Sequence, residues 1–285
     1  MTTTNRIPAP PPAPRNTTGA PSAPPSPTPP LSPWASMPAA QAGQRTLLYG
    51  QGGLGKSRLC CAAPGPVLMF DFDESLSTLW GQLPDEQRAK VLSYSPTGWQ
   101  DFMDKLNDQT LFGGIQTVVV DTATVAERAS EAWVLDNVRA SSGKATSIED
   151  YGYGKGYRFI FEQWIKLLAV ADIHRRAGRN VVFVAHATNA KTANPSGEDF
   201  LRVEPALQGT DKFSIRNRLY EWVDHCIYID WDKAVSKDGK VGGGNSRSIY
   251  THGQNWFMAK TRGTAPEIIY PDVNNLEDVW AQLFA

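Results

Sequence analysis

Apolar residues along this chain fall into short, dense runs separated by stretches of different period. Leu47 to Tyr49, Pro66 to Phe70 (PVLMF), Thr117 to Thr122 (TVVVDT), Asn180 to Ala187 (NVVFVAHA) and Cys226 to Ile229 read as buried strands. Helical spacing follows at Lys56 to Ala63, Leu76 to Trp80, Trp99 to Leu106 and Val125 to Val138, and a final helix at Leu276 to Phe284 closes the chain. The longest helix runs from Arg158 to Arg176 and stops at Gly178. It sets Ile160, Trp164, Leu167 and Ala171 on one face and Arg158, Glu162 and Lys166 on another, so its aromatics belong to the core. Ser248 to Thr251 and Trp256 to Lys260, around His252-Gly253, predict a C-terminal β-hairpin. Strands alternating with helices predict an α/β fold with a mainly parallel central sheet.

Three stretches break the alternation. Residues 1 to about 42 hold most of the prolines with Ala, Ser and Thr and almost no charge. Such a segment cannot bury enough surface to fold, so an extended arm is expected, acting as a tether or a partner-binding segment. The folded domain is then 43–285. Ala140 to Thr146 reads as a mobile loop, and Thr188 to Thr210, rich in Gly, Pro and Asn, reads as a long functional or disordered loop.

Composition narrows the function classes. A chain of 285 residues accommodates one α/β domain plus a tail, or two small domains. With 41% hydrophobic residues but no apolar run near the ~20 needed to span a bilayer, and no signal-like N-terminus, a soluble protein acting in the cytoplasm is expected. Cys60, Cys61 and Cys226 lack zinc-ligand spacing and an even count, which leaves packing as their role. A net charge of −1 supplies no global basic field, so any nucleic-acid contact must be local.

The chemistry concentrates at the end of the first strand, where Gly50-Gln51-Gly52-Gly53-Leu54-Gly55-Lys56-Ser57 spells a complete P-loop. Its glycines let backbone N–H groups turn toward phosphate oxygens, and a helix N-terminus follows. Lys56 then reaches the β- and γ-phosphates of a nucleotide, Ser57 ligates Mg²⁺, and Arg58 completes the binding stretch. The TVVVDT strand has the Walker B form, which puts Asp121 on a Mg²⁺-bound water beside Ser57. The second strand delivers Asp71, Asp73 and Glu74 to the same crevice edge. His186, at the end of the fourth strand, is either a hydrogen-bonded structural residue or a sensor of the γ-phosphate and attacking water. Lys191 and Arg202 in the long loop, with Lys212, Arg216 and Arg218 after it, are the local candidates for phosphate-backbone contacts, although a solvated helix face explains them as well. Alternation points Lys260 and Arg262 to one face, a solvated edge or a phosphate-facing pair. Gly154-Lys155-Gly156 lacks the preceding strand and the spacing of a second phosphate loop.

Taken together, the P-loop, the D-x-D, Walker B, the polar strand end and the K-x-R resemble the RecA-like ATPase core. The runs VVVDT, YGKGY and VVFVAHA resemble the phage nucleotide-binding AAA-domain family, which includes RecA-related single-strand annealing proteins; the likeness spans about 45 to 265. It implies an ATPase that uses ATP and Mg²⁺ and acts on single-stranded DNA in recombination or replication. A single-strand-binding protein is the further partner, and the host cytoplasm is the site. The family's catalytic glutamate falls near Asp73, with Glu74 adjacent. Its strand-end polar residue, often glutamine, falls at His186. Its K-x-R reaches into a neighbouring subunit, which makes Lys260 and Arg262 trans-acting fingers in a ring or filament. A small-molecule kinase, a packaging-type motor and a nucleotide-binding module without turnover remain alternatives.

Overall fold

The first strand carries five consecutive buried residues, Thr46 to Gly50, and every later parallel strand takes its register directly or indirectly from it. In this computed structural model the described residues are 42–285 except 142, 195–196, 210–211 and 236–240. The expectation for the Pro-rich arm lies outside them. The elements in order are β1 (Arg45–Gly50), α1 (Lys56–Cys61), β2 (Val67–Asp71), α2 (Leu76–Trp80), α3 (Asp85–Arg88), β3 (Val91–Tyr94), α4 (Trp99–Asn107), β4 (Thr117–Asp121) and α5 (Ala123–Asn137). There follow the short strands β5 (Arg139–Ala140) and β6 (Gly143–Lys144), α6 (Lys155–Arg176), β7 (Asn180–Thr192), β8 (Phe200–Pro205), α7 (Ile215–Trp222), β9 (His225–Val235), β10 (Val241–Tyr250), β11 (Ile268–Ile269) and α8 (Glu277–Leu283).

Eight strands of the central sheet run in the order β11-β10-β9-β1-β7-β4-β2-β3, and the ninth, β8, pairs with the outer part of β7. From β9 to β3 all neighbours are parallel, whereas β8, β10 and β11 are antiparallel additions. This is the expected α/β architecture. Both faces are covered, which is why the central strands read as unbroken apolar runs. Leu47, Tyr49, Val118, Val120, Val181 and Phe183 pack with α4, α5, α6 and α7, while Leu48, Val119, Val182 and Val184 pack with α1 and α8. The predicted inner face of α6 is buried as a set: Ile160, Trp164, Leu167 and Ala171. On the other face Trp280 donates its indole N–H to the Leu59 carbonyl at 2.8 Å and ties α8 to α1. The three cysteines are buried free thiols, raised in pKa by that burial.

Three expectations are corrected. Much of Thr188–Thr210 is a hairpin arm, because β7 continues to Thr192 and pairs from Ala187↔Pro205 to Thr192↔Phe200 with β8. Its side chains are mostly half-buried or exposed, so it carries no apolar alternation to read. Second, Ser248 to Tyr250 belong to β10, whose partner is β9. Trp256 to Lys260 form only isolated bridges, Phe257 with Val203 and with Gln254, and Lys260 with Cys226. The C-terminal β-hairpin is therefore β9–β10. Third, the stretch expected to be a loop at 140–146 contains the β5–β6 pair. Neither edge strand, β3 or β11, carried an expectation; in β3 Val91 is buried while Leu92 is exposed. Among the described residues no helix is long and apolar enough to cross a membrane.

Trp164 sits between Trp99 (6.1 Å) and Phe183 (6.2 Å) and donates to Ser130 Oγ. Trp164→Ala should destabilise the fold by about 3–5 kcal/mol, measured by urea unfolding followed by circular dichroism.

Candidate nucleotide site

Strand order gives the site its shape. β7 lies between β1 and β4, pairing Gly50 with His186 on one side and Asp121 with Val184 on the other. The ends of three adjacent strands thus open into one crevice. At Gly50 a Cβ would meet the Ile229 carbonyl oxygen at 2.5 Å, and Gly53 and Gly55 hold φ of 79° and 81°, so side chains are excluded at the first and strained at the other two. The loop then turns into α1 at Lys56.

Lys56 is 6% exposed, and its Nζ donates to the carbonyls of Gly50 (2.9 Å) and Gln51 (2.7 Å). Burial lowers its pKa and the Asp121 carboxylate opposes that shift. Asp121 is 1% exposed, and neither carboxylate oxygen has a partner at ordinary hydrogen-bond geometry. Burial, with the charges of Asp71 and Asp73, pushes its pKa up to about 6 against the pull of the nearby Ser57 hydroxyl and Lys56. An ionised carboxylate buried without partners is costly. A hard cation that prefers oxygen ligands would relieve that cost, so Ser57 and Asp121 fit a Mg²⁺ shared with nucleotide phosphates.

The two aspartates of the D-x-D do different things. Asp71 is buried and accepts the N–H groups of Ser75 (3.1 Å) and Leu76 (2.9 Å), holding the start of α2. Asp73 carries its Oδ2 to 3.7 Å from His186 Nε2. Glu74, in the left-handed region at φ 53°, lines a different cavity with Asp71 and Trp80. His186 is fixed by its backbone, the N–H donating to Thr124 Oγ1 (3.1 Å) and the carbonyl accepting from Ala206 (2.8 Å). Burial and the Lys56 charge lower its pKa, which favours the neutral ring. A single cavity of about 450 Å³ is lined by Gly52, Gly53, Gly55, Lys56, Ser57, Arg58, Asp73, Asp121 and His186.

Lys260 and Arg262 are not in that cavity. Lys260 exchanges two backbone hydrogen bonds with Cys226, and Arg262 N donates to the Asp224 carbonyl. Cys226 pairs with Leu47 and Asp224 bonds Arg45, so the K-x-R lies beside the start of β1, at the sheet edge opposite the P-loop. Roughly 10–17 Å of strand separates the two edges at ~3.3 Å per residue. Between the two cations, Thr261 turns inward onto the buried His225 (Oγ1 to Nδ1, 2.6 Å). Arg262 reaches Asp224 (3.2 Å), which Arg45 also binds, and Lys260 lies 4.7 Å over the Tyr220 ring. Of the basic candidates, Arg202 and Arg216 both clamp the buried Glu204. Lys191 pairs with Asp199, Lys212 lies over Phe213, and Arg218 is near Glu221; these three are exposed. Gln51, Leu54 and Arg58 occur where the P-loop pattern put them, Leu54 packing into the core. Arg247, which no motif announced, donates to the Leu54 carbonyl (2.8 Å) and stacks on Trp231.

The family described as AAA domain matches residues 42–263, a span holding the P-loop, Asp121, His186, Lys260 and Arg262. The chain belongs to this family. An AAA domain with this loop and strand order is a nucleotide-binding ATPase domain of the P-loop class. No curated protein matches the chain.

Because the folded-state pKa of Asp121 lies above its unfolded value, its favourable contribution is complete below about pH 4 and is lost as pH rises through about 6. Without ligand, the wild type should therefore lose roughly 1–3 kcal/mol relative to Asp121→Asn between pH 4.5 and 7, read from urea midpoints of both proteins.

Proposed function

We propose that this AAA-domain protein hydrolyses ATP with Mg²⁺ and couples hydrolysis to assembly on single-stranded DNA, in phage recombination or replication. The observation that carries the ATPase reading is the shared cavity of Lys56, Ser57, Asp73, Asp121 and His186. Loop N–H groups and Lys56 bind the β- and γ-phosphates and draw charge off the leaving group. Mg²⁺, when bound at Ser57 and Asp121, neutralises charge on the phosphate oxygens. Asp73 accepts the proton of the attacking water, and the neutral His186 imidazole holds Asp73 and that water in line. Glu74 takes no part, since it borders another cavity.

Two placements support the assembly part. Lys260 and Arg262 stand at the edge opposite their own P-loop, which suits a head-to-tail contact in which they complete the next subunit's site. The exposed Lys191, Lys212 and Arg218 lie on the β7–β8 arm, before α7 and on α7, in the part of the chain that follows His186, and would meet the DNA backbone. Arg202 and Arg216 would shape that surface from behind through Glu204.

Asp73→Asn should lower the turnover number by at least about 100-fold, while Glu74→Gln retains most activity, in a phosphate-release assay. Lys260→Ala should lose activity that returns on mixing with Lys56→Ala, because mixed interfaces pair an intact P-loop with an intact K-x-R. ATPase activity indifferent to single-stranded DNA, from a protein that stays monomeric with a slowly hydrolysed analogue, would sink the assembly reading.

A further inference from the structure

Glu127 lies on α5, partly buried, and both of its carboxylate oxygens accept from one donor, the Gln208 N–H, at 3.0 and 3.1 Å. It does not line the nucleotide cavity. Residues three apart on a helix share a face, so Thr124 and Glu127 hold the neighbouring chain from the same side. Thr124 Oγ1 accepts the His186 N–H (3.1 Å), and the His186 carbonyl accepts from Ala206 (2.8 Å), two residues before the Gln208 that Glu127 holds. These bonds close a ring around the His186 backbone. Gln208 is held elsewhere too, its carbonyl accepting the Arg216 N–H (3.1 Å) and its Oε1 the Ile215 N–H (3.4 Å) at the start of α7.

We propose that Glu127 is a positioning residue for hydrolysis, which through Gln208 and Ala206 sets His186 against Asp73 and does so fully only as a carboxylate. This rests on the reading in which Asp73 and His186 order the attacking water. An ionised carboxylate makes a hydrogen bond roughly twice as strong as a neutral carboxyl does. Protonation therefore slackens the ring. The change falls near neutrality, because burial pushes the Glu127 pKa up to about 7, with the Glu131 charge in support, against the pull of the Gln208 N–H and of Arg216 and Arg128. The charged groups facing it are thus Glu131 and Arg128 from α5 itself and Arg216 from α7. Since the folded-state pKa lies above the unfolded one, the ionised group costs stability that the neutral one does not. The hold on Gln208 strengthens over the same pH range in which the fold weakens.

The test is the pH profile of ATP turnover by the full chain, wild type against Glu127→Gln, which keeps the size and an acceptor oxygen but cannot ionise. Wild type should turn over about tenfold faster than Glu127→Gln at about pH 8 and equally fast at about pH 6, with KM alike throughout. Groups common to both proteins, Asp121 among them, cancel in that ratio. In a His186→Ala background Glu127→Gln should cost nothing further. The Gln208 amide proton resonance of the wild type should shift with a midpoint near pH 7, a measurement that needs no variant to fold. A ratio constant with pH, a loss additive with that of His186→Ala, or a Gln208 midpoint in the ordinary glutamate range each overturns the inference and leaves the ATPase reading standing. A His186→Ala protein with wild-type turnover instead removes the role given to His186, and this inference with it.

Discussion

Parallel pairing of β7 with β1 on one side and β4 on the other sets Gly50 level with His186 and Asp121 level with Val184, two residues earlier on β7, and the candidate site depends on that register. Hydrogen-bond register in a sheet is discrete, so the three strand ends cannot drift relative to one another by less than a residue pair. Both faces of these strands are covered, and a slip would cost buried apolar contacts on two sides at once. The site is thus positioned by the core itself. The remaining chemistry, in the loop of glycines and at Asp73, is carried by segments that follow the strand ends.

The crevice holds a lysine and an aspartate that are both almost fully buried. Each is displaced from its ordinary titration by loss of solvent, and each partly offsets the other. Lys56 satisfies itself on loop carbonyls, whereas Asp121 has no comparable partner. That imbalance is a stability cost carried by the folded protein, of the kind found where ligand binding supplies the missing contacts. By contrast the charges at the opposite edge are well matched. Asp224 is pushed up by burial, but hydrogen bonds from Arg45 and the charges of Arg45 and Arg175 outweigh that and hold it below the usual carboxylate range.

Much of the sheet was legible because buried parallel strands announce themselves as Val- and Leu-rich runs, and the P-loop because its glycines have steric reasons to be there. Asp71, Asp73 and Glu74 were legible only as a group. Which of them caps α2 and which turns to the crevice depends on backbone geometry, including the left-handed φ at Glu74, which composition does not encode. The β7–β8 arm was hidden since it extends past the covered part of the sheet and has no apolar face to alternate. The same holds for the partners of Arg202 and Arg216. A basic residue in sequence looks the same whether it faces solvent or, as here, encloses a buried glutamate. Arg247 belongs to no pattern, and its contact with Leu54 joins residues 193 positions apart.

The inward turn of Thr261 onto His225 means that the two flanking cations are displayed by parity. Their outward direction is a property of the odd-and-even count along the segment, set where Lys260 pairs with Cys226. Inserting or deleting one residue between that bridge and Arg262 would exchange the roles, pressing a guanidinium toward a buried imidazole and offering a small hydroxyl to the surroundings. The spacing of the two cations is therefore held by the Lys260–Cys226 bridge and the Thr261–His225 contact rather than by the cations themselves.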